Sequence, residues 1–72
     1  MDINYDKEAD AVYIRLKKGT VAKTKKIDDI TLIDLDKTND VLGMELLNAS
    51  KRIPQKSLFE VHVKNLALIM AK

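Results

Sequence analysis

A chain of 72 residues has room for one small domain, and a domain of that size buries only about 60% of the surface its unfolded form exposes. The absence of cysteine excludes disulfides and thiolate metal sites, and the single histidine, His62, excludes a multi-histidine zinc site within one chain. Charged residues make up 33% of the chain with a formal net charge of only +2, a balance unlike that of a dedicated nucleic-acid binder.

Small chains are usually stapled by disulfides, metals or a partner subunit. With the first two removed, self-association is the expected staple, and a homo-oligomer is expected. The segment Met1-Asp2-Ile3-Asn4 lacks the basic and apolar regions of a signal peptide, and no apolar run approaches the roughly 20 residues of a membrane span. A cytoplasmic protein with no membrane association is expected.

Ile3 and Tyr5 alternate with Asp2 and Asn4, which predicts a short first strand. Residues 6–10 are polar and aspartate-rich, the chemistry of a turn. Val12, Ile14 and Leu16 then alternate with Tyr13 and Arg15, a half-buried strand. At the next break Gly19 is free to take a positive φ. Residues 21–27 predict an exposed edge strand, with Lys23 and Lys25 on one face and Lys26 on the other.

Asp28 and Asp29 form a turn, and residues 30–35, apolar on both faces near their middle, predict a central strand. Residues 36–40 have a common hairpin-loop length. In residues 41–47, Leu42, Met44 and Leu46 point inward and Glu45 outward. The expected fold is α+β: a small antiparallel β-meander sheet of four to five strands, with a short helix after residue 48.

Pro54 suits the first position of a second helical turn. In residues 57–60 the order Ser, Leu, Phe, Glu has capping-box spacing, but the alternation of Phe59, Val61 and Val63 with Glu60, His62 and Lys64 favours a last strand over 59–64. Residues 1–64 read as one small β-rich domain and 65–72 as an apolar C-terminal tail.

Four groups of residues are candidates for chemistry or binding. Asp6, Glu8 and Asp10 occupy alternate places of a calcium loop, but Ala11 and Lys17 stand where that loop needs glycine and glutamate, so a turn is expected. Asp34 and Asp36, two apart, share a side if the strand continues through them, the minimum for a magnesium-dependent hydrolase. No nearby histidine or cysteine supplies a base or third ligand, and Ser50 and Ser57 lie in no nucleophile motif. No catalytic residue, metal or cofactor is therefore expected, and the chain is not expected to be an enzyme. Lys17, Lys18, Lys23, Lys25 and Lys26 form a basic hairpin with no aromatic among them to stack bases. Nucleic-acid contact there is the alternative to the favoured reading, an interaction protein with Leu66, Leu68, Ile69 and Met70 as the partner-binding residues.

Three stretches resemble the prokaryotic domain-of-unknown-function family 2283. They are Tyr5-Asp6-Lys7-Glu8-Ala9-Asp10 with Val12-Tyr13-Ile14-Arg15-Leu16, then Asp29 with Leu32-Ile33-Asp34-Leu35-Asp36, then Leu42-Gly43-Met44-Glu45-Leu46-Leu47-Asn48-Ala49-Ser50. Family members often carry a glycine just before the third block's strand. Thr38-Asn39-Asp40 fills that place here, and Asn39 or Asp40 tolerates the left-handed conformation. The resemblance implies a small β-rich domain of unassigned activity, in a family some of whose members look like the partner half of toxin–antitoxin-type gene pairs.

Overall fold

A computed structural model describes residues 1–58 and 60–64. The alternating segments form five strands: β1 (Asp2–Asp6), β2 (Ala11–Arg15), β3 (Lys23–Asp28), β4 (Thr31–Leu35) and β5 (Val41–Leu47). Two short helices follow, α1 (Ala49–Arg52) and α2 (Gln55–Leu58). All pairings are antiparallel and the strands lie side by side in the order β1-β2-β5-β4-β3. This is the expected small α+β fold.

Each hairpin turn is shaped by an aspartate. Asp6 Oδ1 accepts the backbone N–H groups of Glu8 and Ala9 at 3.0 and 3.1 Å. Asp28 Oδ1 accepts Ile30 N–H at 3.0 Å. Asp36 Oδ1 accepts Thr38 N–H at 2.8 Å, Thr38 Oγ1 at 2.6 Å and Asp40 N–H at 3.0 Å. These are Asx-type turns, in which a short carboxylate replaces a backbone acceptor. Asn39 has φ 68°, so of the two residues expected to tolerate the left-handed conformation it is Asn39 that takes it.

The meander runs through β3, β4 and β5, and β2 lies beside β5 rather than beside β3. Residues 16–22 therefore cross one end of the sheet from β2 to the far edge. They are held there by Leu16 N–H to Leu42 O and Ala22 N–H to Leu35 O, both 2.8 Å. Gly19 does not use a positive φ. Its role is close approach: a Cβ at this position would lie 2.7 Å from Leu42 Cδ2, so the crossing chain rests on Leu42.

After β5, Asn48 at φ 52° turns the chain into α1. Asp10 then fastens α1 to the first turn. Its carboxylate accepts Ser50 N–H at 2.9 Å and Ser50 Oγ at 2.7 Å, and its backbone O accepts Ala49 N–H at 2.9 Å. Ala49 is fully buried in this junction.

The last strand expected over 59–64 does not form at residues 60–64, which are exposed and in no strand, and Phe59 lies outside the described residues. Alternation alone does not make a strand; it needs a free edge to pair with, and both edges, β1 and β3, lack such a partner among the described residues. Ser57 does not cap a helix either. It lies within α2, which begins just after Pro54.

Candidate functional site: an apolar trough across the sheet

Because side chains alternate, the sheet has two chemically distinct faces. One carries Asn4, Tyr13, Glu45, Leu32 and Lys26 as cross-strand neighbours. On this polar face Tyr13 crosses Gly43 to donate to Asp34 Oδ2 at 2.6 Å, and Thr24 Oγ1 donates to Asp34 Oδ1 at 2.6 Å. A Cβ on Gly43 would lie 2.7 Å from Tyr13 Cζ and 2.9 Å from Ile14 O, so the ring fills the space a side chain would take. The hydrogen bond to Asp34 raises the Tyr13 pKa above its ordinary 10.0.

The other face is apolar and consists of three rows running across the strands. The first is Tyr5, Val12, Leu46 and Thr31. The middle row is Ile3, Ile14, Met44, Ile33 and Lys25, one residue from each strand. The third holds Leu42 and Leu35 beside Lys23.

Burial across these rows is inverted. In a covered sheet the middle is deepest. Here Val12 and Thr31 in the first row, 2% and 9% exposed, and Leu42 and Leu35 in the third, 3% and 7%, are the deepest, while Tyr5 in the first row is 40% exposed and Leu46 half-buried. Ile14, Met44 and Ile33 between them are half-buried, as are Tyr13, Glu45 and Leu32 on the polar face. Ile3 is 46% exposed.

The cause is where the cover lies. Arg52 Nη1 donates to Ile30 O at 2.9 Å and Thr31 Oγ1 at 3.2 Å, so the helical segment reaches over the first row. Tyr5, Ser50, Gln55 and Leu58 line a crevice of ≈ 490 Å³ at the same end. Gly19 and its neighbours cover Leu42 at the other end. Between these two covers the middle row is the floor of a shallow apolar trough among the described residues.

The other candidates are accounted for by local structure. Asp10, besides holding Ser50, accepts Tyr5 Oη at 2.9 Å. Its pKa is lowered, chiefly by the Ser50 hydroxyl, and that of Tyr5 is raised by the same carboxylate. Asp34 and Asp36 do not converge. The β4–β5 register shifts between Asp34 and Leu35, leaving Asp34 on the polar face and Asp36 capping its loop. Among the described residues no group of three acidic or histidine side chains is placed to hold a metal ion.

The lysines separate. Lys17 pairs with Asp40 at 3.1 Å and Lys26 with Asp29 at 3.4 Å. Lys23 and Lys25 project from exposed β3 on the apolar face, at one end of the trough, and Lys18 is exposed in the crossing segment. His62 lies 3.8 Å from Glu60 on an exposed stretch. Leu66, Leu68, Ile69 and Met70 lie outside the described residues. Among the described residues no helix is long and apolar enough to cross a membrane.

Sequence reasoning put Ile14 with Val12 on one face and Met44 with Leu42 and Leu46 on the inward face, gave Ile33 no face, and missed the trough. Alternation reports the face a side chain takes, whereas cover comes from segments distant in sequence. The Asp10–Ser50 tie, 40 residues apart, was equally invisible.

No solved structure matches this chain. An uncharacterized protein of Methanocaldococcus jannaschii is 47% identical to it over 49 residues, 68% of this chain and 41% of the relative. The chain thus spans about two-fifths of that protein's length. The sequence pattern of the family described as protein of unknown function DUF2283 matches residues 2–50, from β1 into α1. All five strands and the whole floor of the trough fall inside this match, and the chain belongs to the DUF2283 family.

Proposed function

We propose that this chain is a small non-enzymatic interaction protein that binds a partner through the apolar trough and self-associates in the cytoplasm. The observation that carries the reading is the burial pattern, with Ile14, Met44 and Ile33 at the centre of the apolar face less buried than Val12, Leu42 and Leu35 toward its ends. Among the described residues the buried apolar side chains larger than alanine are Val12, Leu35 and Leu42, a thin core for five strands. Added apolar cover supplies what such a core lacks. Leu66, Leu68, Ile69 and Met70 are the sequence's contribution to self-association, and an antitoxin-like pairing with another small protein is the most concrete form of the partner role.

Gel filtration with light scattering tests self-association: a stable oligomer is expected, weakened by removal of residues 66–72. A monomer indifferent to that removal would sink this part. Native purification tests the partner, which should appear in stoichiometric amount and be lost on Met44→Lys.

The alternative is an accessory nucleic-acid contact through Lys17, Lys18, Lys23, Lys25 and Lys26. It is less supported, because Lys17 and Lys26 are engaged by carboxylates. It requires affinity that falls steeply with salt and drops when Lys23, Lys25 and Lys26 become alanine.

A further inference from the structure

The sheet ends on two edges, β1 and β3, and only one of them is protected against pairing. β3 is exposed throughout and carries Lys23, Lys25 and Lys26, which place ammonium groups on both faces of that edge. Charged side chains on an edge strand oppose the addition of another strand. The β3–β4 register also shifts between Lys26 and Asp28, a second obstacle to regular pairing. β1 has neither device. It contains no lysine, arginine or proline, and it pairs with β2 without a register shift. Its apolar side chains are left in water: Ile3 is 46% and Tyr5 40% exposed, with Met1 just before the strand at 80%. Among the described residues β1 has a neighbour on one side only, and residues 60–64 are exposed and in no strand.

A second copy of β1 fits this edge, and charge selects the register. A two-fold axis perpendicular to the sheet brings two β1 strands together antiparallel with their apolar faces on the same side. Side chains alternate, so the registers that keep those faces together differ by whole two-residue steps. Centred on Asn4, the pairing sets Asp2 of each copy opposite Asp6 of the other, two like-charge pairs that destabilise it. Centred on Tyr5, it sets Ile3 opposite Lys7 of the turn. Centred on Ile3, it sets Ile3 against its own counterpart, Met1 against Tyr5 and Asp2 against Asn4, with no like charges opposed. Pairing β1 with β3 of another copy would leave one free edge of each kind, a head-to-tail contact that does not close on two copies.

We infer that this chain forms a two-fold symmetric dimer in which β1 pairs with β1 of a second copy about Ile3, joining the two sheets into one. The inference rests on the self-association reading and assigns its contact surface. Across the axis the middle rows of both copies meet at Ile3, so the apolar face runs on from one copy to the other. Met1 of one copy comes beside Tyr5 of the other, on the side of the crevice that Tyr5 lines. A flexible thioether suits an irregular apolar recess next to an aromatic ring. The contact spans only a few residues of each strand, which places it among small interfaces and makes the dimer concentration-dependent.

The test is sedimentation velocity of the full chain over a range of concentrations, with the fold of each variant checked by circular dichroism. The parent should pass from monomer to dimer. Ile3→Lys sets two ammonium groups against each other at the axis and should weaken the dimer at least about tenfold. Asn4→Lys tells the registers apart. Centred on Ile3, it gives each Asp2 a counter-ion and should tighten the dimer, by a margin that shrinks as salt rises; centred on Asn4, it opposes two lysines and should weaken it. The chain has no cysteine of its own, so Ile3→Cys gives one thiol per copy. Cross-strand partners at the axis stand about 4.5–5.5 Å apart at Cα, within disulfide reach, and mild oxidation should yield a covalent dimer.

A dimer indifferent to both Ile3→Lys and Asn4→Lys overturns the β1 contact and leaves self-association to another surface. A dimer weakened by Asn4→Lys overturns the register about Ile3. A ladder of species larger than the dimer overturns the two-fold pairing in favour of β1 against β3. A parent that stays monomeric at every concentration overturns the inference, and removal of residues 65–72 then separates two causes. If the shortened chain dimerises, the edge belongs to this chain's own segment; if it stays monomeric, the self-association reading falls as well.

Discussion

On the polar face Tyr13 lies over Gly43 and holds Asp34; on the apolar face their chain neighbours Ile14 and Met44 form the floor of a shallow trough. The two faces are built from alternate residues of the same strands, yet only the polar one is completed by its own side chains. Its tyrosine fills the gap left by a glycine, and its carboxylate satisfies two hydroxyls. Among the described residues the apolar face is roofed only at its ends. Residues that finish a surface are read through stability, and residues that leave it open are read through association. Substitutions on the two faces should therefore fail in different assays.

The largest effect is expected on the polar face. Gly43→Val places carbon where the Tyr13 ring and the Ile14 carbonyl already stand, so the ring must leave or the strand must shift. A loss of about 3 kcal/mol is expected in equilibrium denaturation, the upper range for overpacking a filled site. Tyr13→Phe, which keeps the ring and removes one hydrogen bond, should cost about 1 kcal/mol. If Gly43→Val were tolerated within about 0.5 kcal/mol, the tyrosine would be a surface ornament and the contrast between the faces would collapse.

The next comparison lies within the apolar face. Val12 sits under cover and Met44 two rungs away does not. Val12→Ala should cost about 2 kcal/mol in the isolated chain, from lost burial and the cavity left behind. Met44→Ala should cost less, about 1 kcal/mol, because Met44 is only half-buried. Association should rank them in reverse, with Met44→Ala weakening complex formation at least tenfold and Val12→Ala changing it little. Matching ranks in both assays would mean that the trough is only a poorly packed core.

Acid should act on the turns and ends and leave the trough chemistry alone. Asp10, Asp28 and Asp36 have pKa values below the ordinary 3.8, held down chiefly by the Ser50 hydroxyl, the Ile30 N–H and the Thr38 hydroxyl respectively. A carboxylate depressed in the folded state contributes its full stabilisation above its unfolded pKa, and that contribution is lost as pH falls through the folded one. Stability should therefore decline below about pH 3.8, and Asp10→Asn should flatten part of that decline. At the other extreme Tyr5 and Tyr13, raised above 10.0 by Asp10 and Asp34, should begin to destabilise the fold only above pH 10. Circular dichroism across pH measures both limbs, and an Asp10→Asn profile superimposing on the parent's would remove the Asp10–Ser50 tie as a structural device.

How much of this was legible in the sequence follows from the range of each interaction. Strands, turns and faces are set by alternation and by aspartates bonding backbone a few residues away, and these read correctly. Gly19 was assigned the wrong virtue, conformational freedom, because the side chain it makes room for, Leu42, is 23 positions later. Residues 60–64 alternate like a strand without becoming one, since an edge partner is not a property of the segment. The trough is of the same kind: the order β1-β2-β5-β4-β3 sends residues 16–22 across one end and α1 across the other. No local pattern encodes where those crossings fall.

The smallest effect is expected at Asn39, and its size discriminates. With φ 68°, Asn39 closes the loop whose Asp36 carboxylate already holds Thr38 and Asp40. Asn39→Gly relieves left-handed strain but loosens the unfolded chain, so a net change within about 0.5 kcal/mol is expected. Asn39→Val, whose β-branch resists that conformation, should cost roughly 2 kcal/mol. The loop joins β4 to β5 at the end of the sheet where residues 16–22 cross, tied to them by Lys17 and Asp40. Strain there loads the cover over Leu42 and not the floor of the trough. Asn39→Val should thus lower the urea midpoint while the folded fraction binds its partner with unchanged affinity. Should affinity fall in step with stability, the cover and the floor would be one cooperative unit, and the trough would be shaped by its walls.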